Sequence, residues 1–312
     1  MNDTLAKAAA GTEPCGVLNL YKPQGCTSFD CVARVRRLYG TKKVGHAGTL
    51  DPMAEGVLPI LVGKAAKAAE YLTEKDKCYE AVLRLGFCTD TQDISGTVTK
   101  RFDRVAPPEA VYAAAQNFAG QSMQCPPMYS ALKVGGKKLC DLARQGITAE
   151  RTARPITIYS ISATQLSQTD FSLRVHCSKG TYIRTLCEDI GNALGCGGVM
   201  AALRRTQSGP FSERESICFE ALEAMSPAQR CALLLPTEHL FLQYPAVRLP
   251  AFFERLCRAG LAVSLKKLGL ALPNGAYVRL CDASGSFFAL GQAVVGTNED
   301  PEAPALKPCK QF

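Results

Sequence analysis

The chain has 312 residues, of which 47% are hydrophobic and 21% are charged, and its formal net charge is +8. This length and balance allow one large globular domain with a small companion, and the basic excess is a weak signal for nucleic-acid binding. No apolar run approaches the roughly 18 residues of a membrane span, and the opening stretch MNDTLAKAAAGTEP lacks the apolar segment of a secretory signal. We therefore expect a cytoplasmic protein with a flexible leader over residues 1–14.

The 15 cysteines do not form a pattern that predicts metal ligands. No two of them have C-x-x-C spacing, and the three histidines are scattered along the chain, so we expect no zinc site. The chain is also rich enough in core-forming residues to fold without a disulfide framework. The cysteines are therefore predicted to be reduced and to act as small hydrophobic residues.

Helices and strands are predicted along the first 240 residues. A helix is predicted for TSFDCVARVRRLYG because Thr27 or Ser28 can cap it, an apolar stripe follows, and Gly40 can end it. Strands are predicted for VLPILVG, KCYEAVLRLGF, PITIYSISATQLS and FSLRVHCS, and helices for PPEAVYAAAQNFAG and TYIRTLCEDIGNALG. Because these elements show no βαβ rhythm, the predicted fold class is α+β, with a mixed or mostly antiparallel central sheet and flanking helices.

The pattern changes after about residue 240, where short strands alternate with glycine-containing turns. These strands predict a small β-rich domain over residues 244–298, behind a large domain over residues 15–243. The last stretch contains Pro301, Pro304 and Pro308, so we expect residues 299–312 to form a loose tail.

The segment KVGHAGTLDPMAEGVLPI, residues 43–60, concentrates glycines around one aspartate. It lacks the G-x-x-x-x-G-K-[ST] pattern of a phosphate-binding loop, and Asp51 would repel a phosphate. Pro52 favours an extended backbone at Asp51, while Gly45, Gly48 and Gly56 permit unusual dihedral angles around it. Two interpretations remain open from the residues alone: an Asx-type turn before a strand, or a rigidly held carboxylate that acts as nucleophile or general base.

Aromatic and basic side chains elsewhere fit the second interpretation. Tyr182 and Arg184 follow Gly180 at the start of a predicted helix. An arginine near a buried carboxylate keeps that carboxylate ionised, although an isolated arginine is usually solvated. Tyr79, on a predicted strand, is either an ordinary core residue or a stacking platform for a base.

In this order, NLYKPQGCTSFD, KVGHAGTLDPMAEGVLPI, DKCYEAVLRLGFCTDTQDISG, QCPPMYSALKVGGKKL and CSKGTYIRTLCEDIG resemble motifs of the TruB-type tRNA pseudouridine synthases. The resemblance extends from about Gly16 to Arg205, and the combination of motifs is highly specific. It implies the pseudouridine synthase fold and an isomerase that converts the T-loop uridine at position 55 of tRNA to pseudouridine. The C-terminal domain resembles a PUA-like RNA-binding domain. Because this reaction oxidises nothing and imports no group, we expect no cofactor and no metal.

The resemblance also implies roles for individual residues. Asp51 matches the catalytic aspartate, and Arg184 matches the arginine that pairs with it. Tyr79 matches the tyrosine that stacks on the target ring, and His46 matches the histidine that fills or props the stack left by the flipped base. Tyr182 and Leu203 match positions that line the uracil pocket, and Lys22 matches a basic residue near the site.

Because the target uridine is stacked within a folded loop of the tRNA T-arm, the enzyme must flip it out, which requires contacts to the RNA backbone. Two basic segments of this chain are predicted to supply those contacts. Their residues are Arg37, Lys42, Lys43, Lys133, Lys137 and Lys138.

The sequence leaves two other classes of function open. One is an RNA-binding or tRNA-folding module without important catalysis, and the other is a carboxylate-based hydrolase, for which no second carboxylate is placed convincingly. It also leaves open whether Asp51 adds to the base, attacks the sugar carbon, or abstracts a sugar proton to give a glycal. A monomer is the expected oligomeric state.

Overall fold

The computed structural model describes residues 13–296 and 303–312, so the predicted leader lies almost entirely outside the described residues. The strands are β1 (Gly16–Lys22), β2 (Val44–His46), β3 (Glu55–Val62), β4 (Lys77–Leu85), β5 (Phe87–Thr89), β6 (Val98–Arg101), β7 (Gly120–Gln124), β8 (Lys133–Val134), β9 (Lys137–Lys138), β10 (Arg154–Gln165), β11 (Asp170–Cys177), β12 (Gly198–Ser208), β13 (Phe211–Ser212), β14 (Ala246–Arg248), β15 (Val263–Ser264), β16 (Tyr277–Cys281), β17 (Phe287–Val295) and β18 (Pro304–Gln311). The helices are α1 (Ser28–Tyr39), α2 (Ala69–Thr73), α3 (Pro108–Asn117), α4 (Leu139–Arg144), α5 (Ile183–Ala193), α6 (Phe219–Ala224), α7 (Pro227–Ala232) and α8 (Ala251–Arg258).

A nine-stranded sheet forms the centre of the larger of two units in the described chain. Its order is β1-β3-β12-β4-β11-β10-β7, with β2 paired to β3 and β13 paired to β12. Among the described strands of this sheet, β3 and β12 run parallel, and the other pairs are antiparallel. Helices flank it, with α3 against β10 and α5 against β12. The predicted α+β class with a mixed, mostly antiparallel sheet is confirmed.

Helix α1 folds as its sequence predicts. The Thr27 hydroxyl accepts the Asp30 backbone N–H at 3.1 Å, and the Asp30 carboxylate accepts the Thr27 N–H at 2.8 Å, which closes a capping box. Gly40 ends the helix with φ of 62°. Val32 and Val35 are buried against the central sheet, so this helix is fixed to the core at its inner side.

A five-stranded sheet in the order β14-β16-β17-β18-β15 forms the smaller unit, and α8 packs against β15 and β18. An aromatic cluster joins this unit to the larger one. The rings of Tyr71 and Phe241 lie 5.1 Å apart, and those of Phe241 and Phe312 lie 5.4 Å apart. Lys310 and Glu70 form an ion pair at 2.7 Å beside the cluster. The predicted β-rich C-terminal module is confirmed.

The prediction of a loose tail over residues 299–312 is wrong for the part that the structure describes. Strand β18 pairs with β17 from Pro304, opposite Val295, to Gln311, opposite Ala289. Pro304 begins the strand, and Pro308 lies beside an irregularity in the register, which are positions where a sheet tolerates the missing N–H of proline. Residues 299–302 lie outside the described residues.

All 15 cysteines lie among the described residues as free thiols. Six of them are buried, as expected of cysteines that serve as small hydrophobic residues. No helix in the described part of the chain is long and apolar enough to cross a membrane.

Candidate active site

Asp51 forms an ion pair with Arg184, from the first turn of α5. Arg184 Nε lies 2.9 Å from Asp51 Oδ2, and Nη2 donates to Oδ1 at 3.3 Å, so the guanidinium faces both carboxylate oxygens. The Arg184 side chain is 5% exposed, whereas that of Asp51 is 33% exposed. The structure therefore brings the two predicted partners together, with the arginine buried and the carboxylate open on one side.

Other groups hold the Arg184 guanidinium in place. Nη2 donates to the carbonyl of Tyr129 at 2.7 Å, Nη1 donates to the carbonyl of Thr91 at 3.2 Å, and Nη1 lies 4.0 Å from Asp93 Oδ2. Asp93 is buried, and its Oδ1 accepts the Thr91 hydroxyl at 2.8 Å and the Ser95 backbone N–H at 3.0 Å. Asp93 was not predicted as a site residue, although its segment, TDTQDISG, belongs to the motifs that carry the family resemblance.

The ionisation of Asp51 depends on these neighbours. Burial raises the pKa of the Asp51 carboxyl, and the charge of Asp93 raises it further. Arg184 and Lys22 act in the opposite direction and lower the pKa of Asp51. Within residues 13–296 and 303–312, no three His, Cys, Asp or Glu side chains converge as metal ligands. Arg184, whose Nε lies 2.9 Å from Oδ2, supplies a positive charge directly beside the carboxylate.

The backbone of the loop that carries Asp51 is fixed by two side chains from earlier elements. Lys22 ends β1 with its side chain completely buried, and its Nζ donates to the carbonyls of Ala54 at 2.6 Å and Pro52 at 3.4 Å. Ser28 Oγ accepts the Leu50 backbone N–H at 2.9 Å and donates to the Leu50 carbonyl at 3.0 Å. Burial lowers the pKa of Lys22. Lys22 thus holds the backbone just after Asp51 and Ser28 holds the residue just before it, so the loop is fixed on both sides of Asp51.

Arg205 explains two of the three glycines in the loop. It is 1% exposed, and its Nε and Nη2 donate to the carbonyls of Val57 at 2.7 Å and Gly48 at 3.0 Å. A Cβ on Gly56, where φ is 106°, would lie 2.3 Å from the Arg205 carbonyl, and Gly48 has φ of 88°. Gly45 lies in β2 outside the left-handed region, so the prediction of unusual geometry there is wrong. Nothing local in the sequence indicates that Arg205 is buried, because it follows Arg204 and precedes polar residues.

Two tyrosines and a leucine are the residues that the resemblance assigns to the uracil pocket. Tyr79 is half-buried on β4, and Tyr182 immediately precedes α5, where Gln124 holds its N–H at 2.8 Å and its carbonyl at 3.1 Å. Burial raises the pKa of both phenols, and the charge of Asp51 contributes in the same direction. Leu203 on β12 lies opposite Ala81 of β4 and is 7% exposed. The structure therefore places these predicted pocket residues on adjoining elements, with both tyrosines within the electrostatic reach of Asp51.

His46 lies at the end of β2, opposite Ile60. Its Nδ1 is buried without a hydrogen-bond partner among the described residues. Burial lowers the pKa of His46, and the charge that adds to this effect is that of Arg205. Both the burial of His46 and the positive charge of Arg205 thus disfavour its protonated form.

The predicted RNA-contact residues lie on the surface. Arg37 and Lys42 are exposed, and Lys43 forms an ion pair with Glu13 at 3.1 Å. Lys133, Lys137 and Lys138 are exposed in the hairpin formed by β8 and β9. Lys133 and Lys138 are direct cross-strand partners, an arrangement of like charges that destabilises a hairpin unless an anion is near.

The chain resembles known proteins over most of its length. Residues 36–183 match the model described as TruB family pseudouridylate synthase (N terminal domain), and residues 184–241 match the model described as tRNA pseudouridylate synthase B C-terminal domain. The chain is 42% identical over 276 residues to tRNA pseudouridine synthase B of Clostridium acetobutylicum, covering 88% of this chain and 94% of that protein. It is 48% identical over 269 residues to the protein of the same name from Ralstonia pickettii, covering 85% of this chain and 84% of that protein.

Solved structures give a consistent result. A chain of a Cbf5–Nop10–Gar1 complex superposes with a TM-score of 0.71 at 27% identity, covering 96% of this chain and 85% of that chain. A chain of an H/ACA RNP bound to a substrate RNA containing 2′-deoxyuridine superposes with a TM-score of 0.67 at 25% identity, covering 95% and 84%. The chain therefore belongs to the TruB family of pseudouridylate synthases, which are isomerases.

Proposed function

We propose that this protein isomerises the T-loop uridine at position 55 of tRNA to pseudouridine, with Asp51 as the nucleophile. The observation that carries the proposal is the ion pair between Asp51 and Arg184 at 2.9 Å, in which the arginine is buried and the carboxylate is partly open. The names of the relatives support tRNA as the substrate. The similar H/ACA RNP structure contains a bound substrate RNA, which supports RNA binding by this fold.

The reaction breaks the bond between N1 of uracil and C1′ of ribose, turns the base, and joins C5 of uracil to C1′. The proton on C5 leaves, and N1 gains one, so atoms and electrons balance without an oxidant or a transferred group. As a nucleophile, Asp51 starts the reaction by adding to the base or by attacking C1′; the alternative route uses Asp51 as a base that abstracts a sugar proton. In each route the carboxylate must be ionised, and Arg184 favours that form.

The surrounding residues then retain the loosened base. Tyr79 stacks on the flipped ring, and Tyr182 and Leu203 close the pocket, which keeps water from the reactive intermediate. His46 occupies or props the gap that the flipped base leaves in the RNA stack. Exposed lysines of the β8–β9 hairpin contact the phosphates of the T-arm.

The C-terminal sheet, as a PUA-like domain, extends the RNA-binding surface. We further propose that the protein acts as a monomer in the cytoplasm. It needs no metal or cofactor, because the chemistry transfers neither electrons nor an external group.

The proposal is tested with unmodified tRNA transcripts and the variant Asp51→Asn, which keeps the size of the side chain and removes its charge. We expect the parent protein to form pseudouridine at position 55 only, and the variant to bind the tRNA while forming no detectable product. A transcript with cytidine at position 55 is the matched substrate control. Near-normal turnover by the variant would disprove the role of Asp51, and product at another position would disprove the T-loop assignment.

A further inference from the structure

Gln92 has an unusual backbone conformation. Among the residues that the structure describes, it is the one non-glycine residue with positive φ, at 65°. For a residue with a Cβ, this left-handed conformation costs about 1–2 kcal/mol, and such strain concentrates at functional sites. Gln92 lies between Thr91 and Asp93, and both of these neighbours face the Arg184 guanidinium.

Both polar atoms of the Gln92 amide are used in contacts with α5. Its Oε1 accepts the Thr185 hydroxyl at 2.8 Å, and its Nε2 donates to the Glu188 carboxylate. Thr185 directly follows Arg184 in the chain. The Gln92 carbonyl also accepts the Met200 backbone N–H at 3.0 Å, which fixes the segment to β12. The amide therefore connects the Thr91–Asp93 segment to the helix that carries the active-site arginine.

The connection through Gln92 determines which groups the Arg184 guanidinium contacts. Arg184 Nη1 reaches the Thr91 carbonyl at 3.2 Å and the Asp93 carboxylate at 4.0 Å, on the two sides of Gln92. A displacement of this segment relative to α5 would alter both contacts together. A turn that required only a left-handed residue would be satisfied by glycine, which adopts this conformation without strain. Here the strained position is occupied by a glutamine whose amide oxygen and nitrogen both form hydrogen bonds. This indicates that the side chain is needed at this position.

We propose that Gln92 is a positioning residue for the Asp51–Arg184 pair. By joining the Thr91–Asp93 segment to Thr185 and Glu188, it sets the direction in which Arg184 presents its charge to the nucleophile. This inference rests on the proposed function, because it assigns Gln92 a part in that same reaction. The hydrogen bonds of the Gln92 amide go to Thr185 and Glu188, so it acts through α5 rather than on Asp51 directly.

The first test compares Gln92→Ala with Gln92→Gly. Both remove the amide, and Gln92→Gly also relieves the backbone strain, so its melting temperature should equal or exceed that of Gln92→Ala. We expect kcat to fall on the order of 10- to 100-fold in both variants, since small misplacements of catalytic groups have effects of this size. The Kd for tRNA should stay near that of the parent. Parent-like kcat in Gln92→Gly, or a loss of tRNA affinity that matches the loss of kcat, would overturn the proposal.

The second test is a reciprocal exchange of the two bonded side chains. Gln92→Glu alone places two carboxylates together and should lower kcat at least as much as Gln92→Ala. Combining it with Glu188→Gln restores one carboxylate and one amide at the same contact, and the new carboxylate still accepts the Thr185 hydroxyl. We expect the double variant to recover kcat to within a few-fold of the parent. No recovery in a folded double variant would show that this connection does not position the site.

A third measurement does not depend on turnover. The Nε–H signal of Arg184 in a ¹H–¹⁵N spectrum, assigned by its loss in Arg184→Lys, reports on the contact with Asp51. It should shift in Gln92→Ala and return in the double variant, and an unchanged signal in Gln92→Ala would overturn the inference. An inactive parent protein would instead disprove the proposed function, while this signal would still decide the role of Gln92.

Discussion

Two glycine-containing segments of this protein lie in opposite physical situations. In the loop that carries Asp51, a Cβ on Gly56 would collide with the backbone of Arg205. In the β8–β9 hairpin, Gly135 and Gly136 have φ of 57° and 81°, but a Cβ on either would meet no atom within 4 Å. A glycine is needed at position 56 because β3 and β12 approach each other closely there. Glycines are needed at positions 135 and 136 only for the dihedral angles of the turn.

The same contrast applies to the lysine that contacts the Asp51 loop and the lysines of the hairpin. Lys22 is buried, with its ammonium group on backbone carbonyls of the Asp51 loop. Lys133 and Lys138 are exposed and lie opposite each other. The buried lysine that contacts the Asp51 loop therefore fixes geometry, while the exposed lysines of the hairpin contribute electrostatic potential. Catalysis requires the first property, and recognition of a flexible phosphate backbone tolerates the second.

The largest expected effect follows from removing the buried arginine. In Arg184→Ala, the Asp51 carboxyl loses the main charge that opposes its raised pKa, so a larger fraction of it is protonated at neutral pH. We expect kcat to fall on the order of 100-fold or more, with little change in tRNA affinity. Because the pKa of an acid is raised further, part of the lost rate should return as the pH increases. Single-turnover rates across pH, together with tRNA titrations, measure both effects.

Arg184→Lys is the matched control for this variant. It keeps one positive charge but cannot face both carboxylate oxygens, so its activity should lie between those of the parent and Arg184→Ala. Comparable losses of affinity and turnover in Arg184→Ala would mean that the arginine binds RNA instead of supporting Asp51.

A smaller effect is expected from loosening the loop. Lys22→Met retains most of the side-chain volume and removes the donor that meets the buried Ala54 carbonyl at 2.6 Å, while the Pro52 carbonyl still accepts the Gly25 N–H at 2.9 Å. The free energy of unfolding should therefore fall by about 1–3 kcal/mol. We expect kcat to fall on the order of tenfold, because Lys22 holds the backbone directly after Asp51. Urea denaturation and turnover assays measure the two losses.

Lys64 is exposed, and Lys64→Met should change stability by less than about 0.5 kcal/mol. Equal behaviour of the two variants would remove the distinction between buried and exposed lysines.

Local patterns in the sequence predicted part of this arrangement. The capping box of α1, its terminal Gly40 and the alternation along β4 depend on neighbouring residues, so they could be recognised without the fold. The pairing of Asp51 with Arg184 came from the family resemblance, since the two residues are 133 positions apart. Their proximity depends on how α5 is placed relative to the central sheet, and nothing local to either residue indicates it.

The contacts that the sequence did not predict are those between distant segments. Arg205 supports Gly48 from 157 positions away, and Lys22 bonds to a carbonyl 32 positions later. An isolated basic residue is usually solvated, so neither contact could be anticipated from residue type. The tail was misjudged for a related reason: prolines argue locally against a strand, but pairing with β17 along Pro304–Gln311 outweighs that preference.

The smallest effect is expected from the hairpin. Replacing Lys133, Lys137 and Lys138 together with alanine should weaken tRNA binding by a few-fold and reduce the dependence of log Kd on log salt by about 2, as expected for the loss of three phosphate contacts. The rate at saturating tRNA should match that of the parent, since these side chains are exposed in a surface hairpin. The corresponding triple replacement with arginine keeps the charge and should retain the salt dependence. An unchanged salt dependence in the alanine variant would place the RNA elsewhere, and a lower rate at saturation would show that the hairpin takes part in closing the site. Either result would remove the division between a segment that sets geometry and a segment that supplies charge.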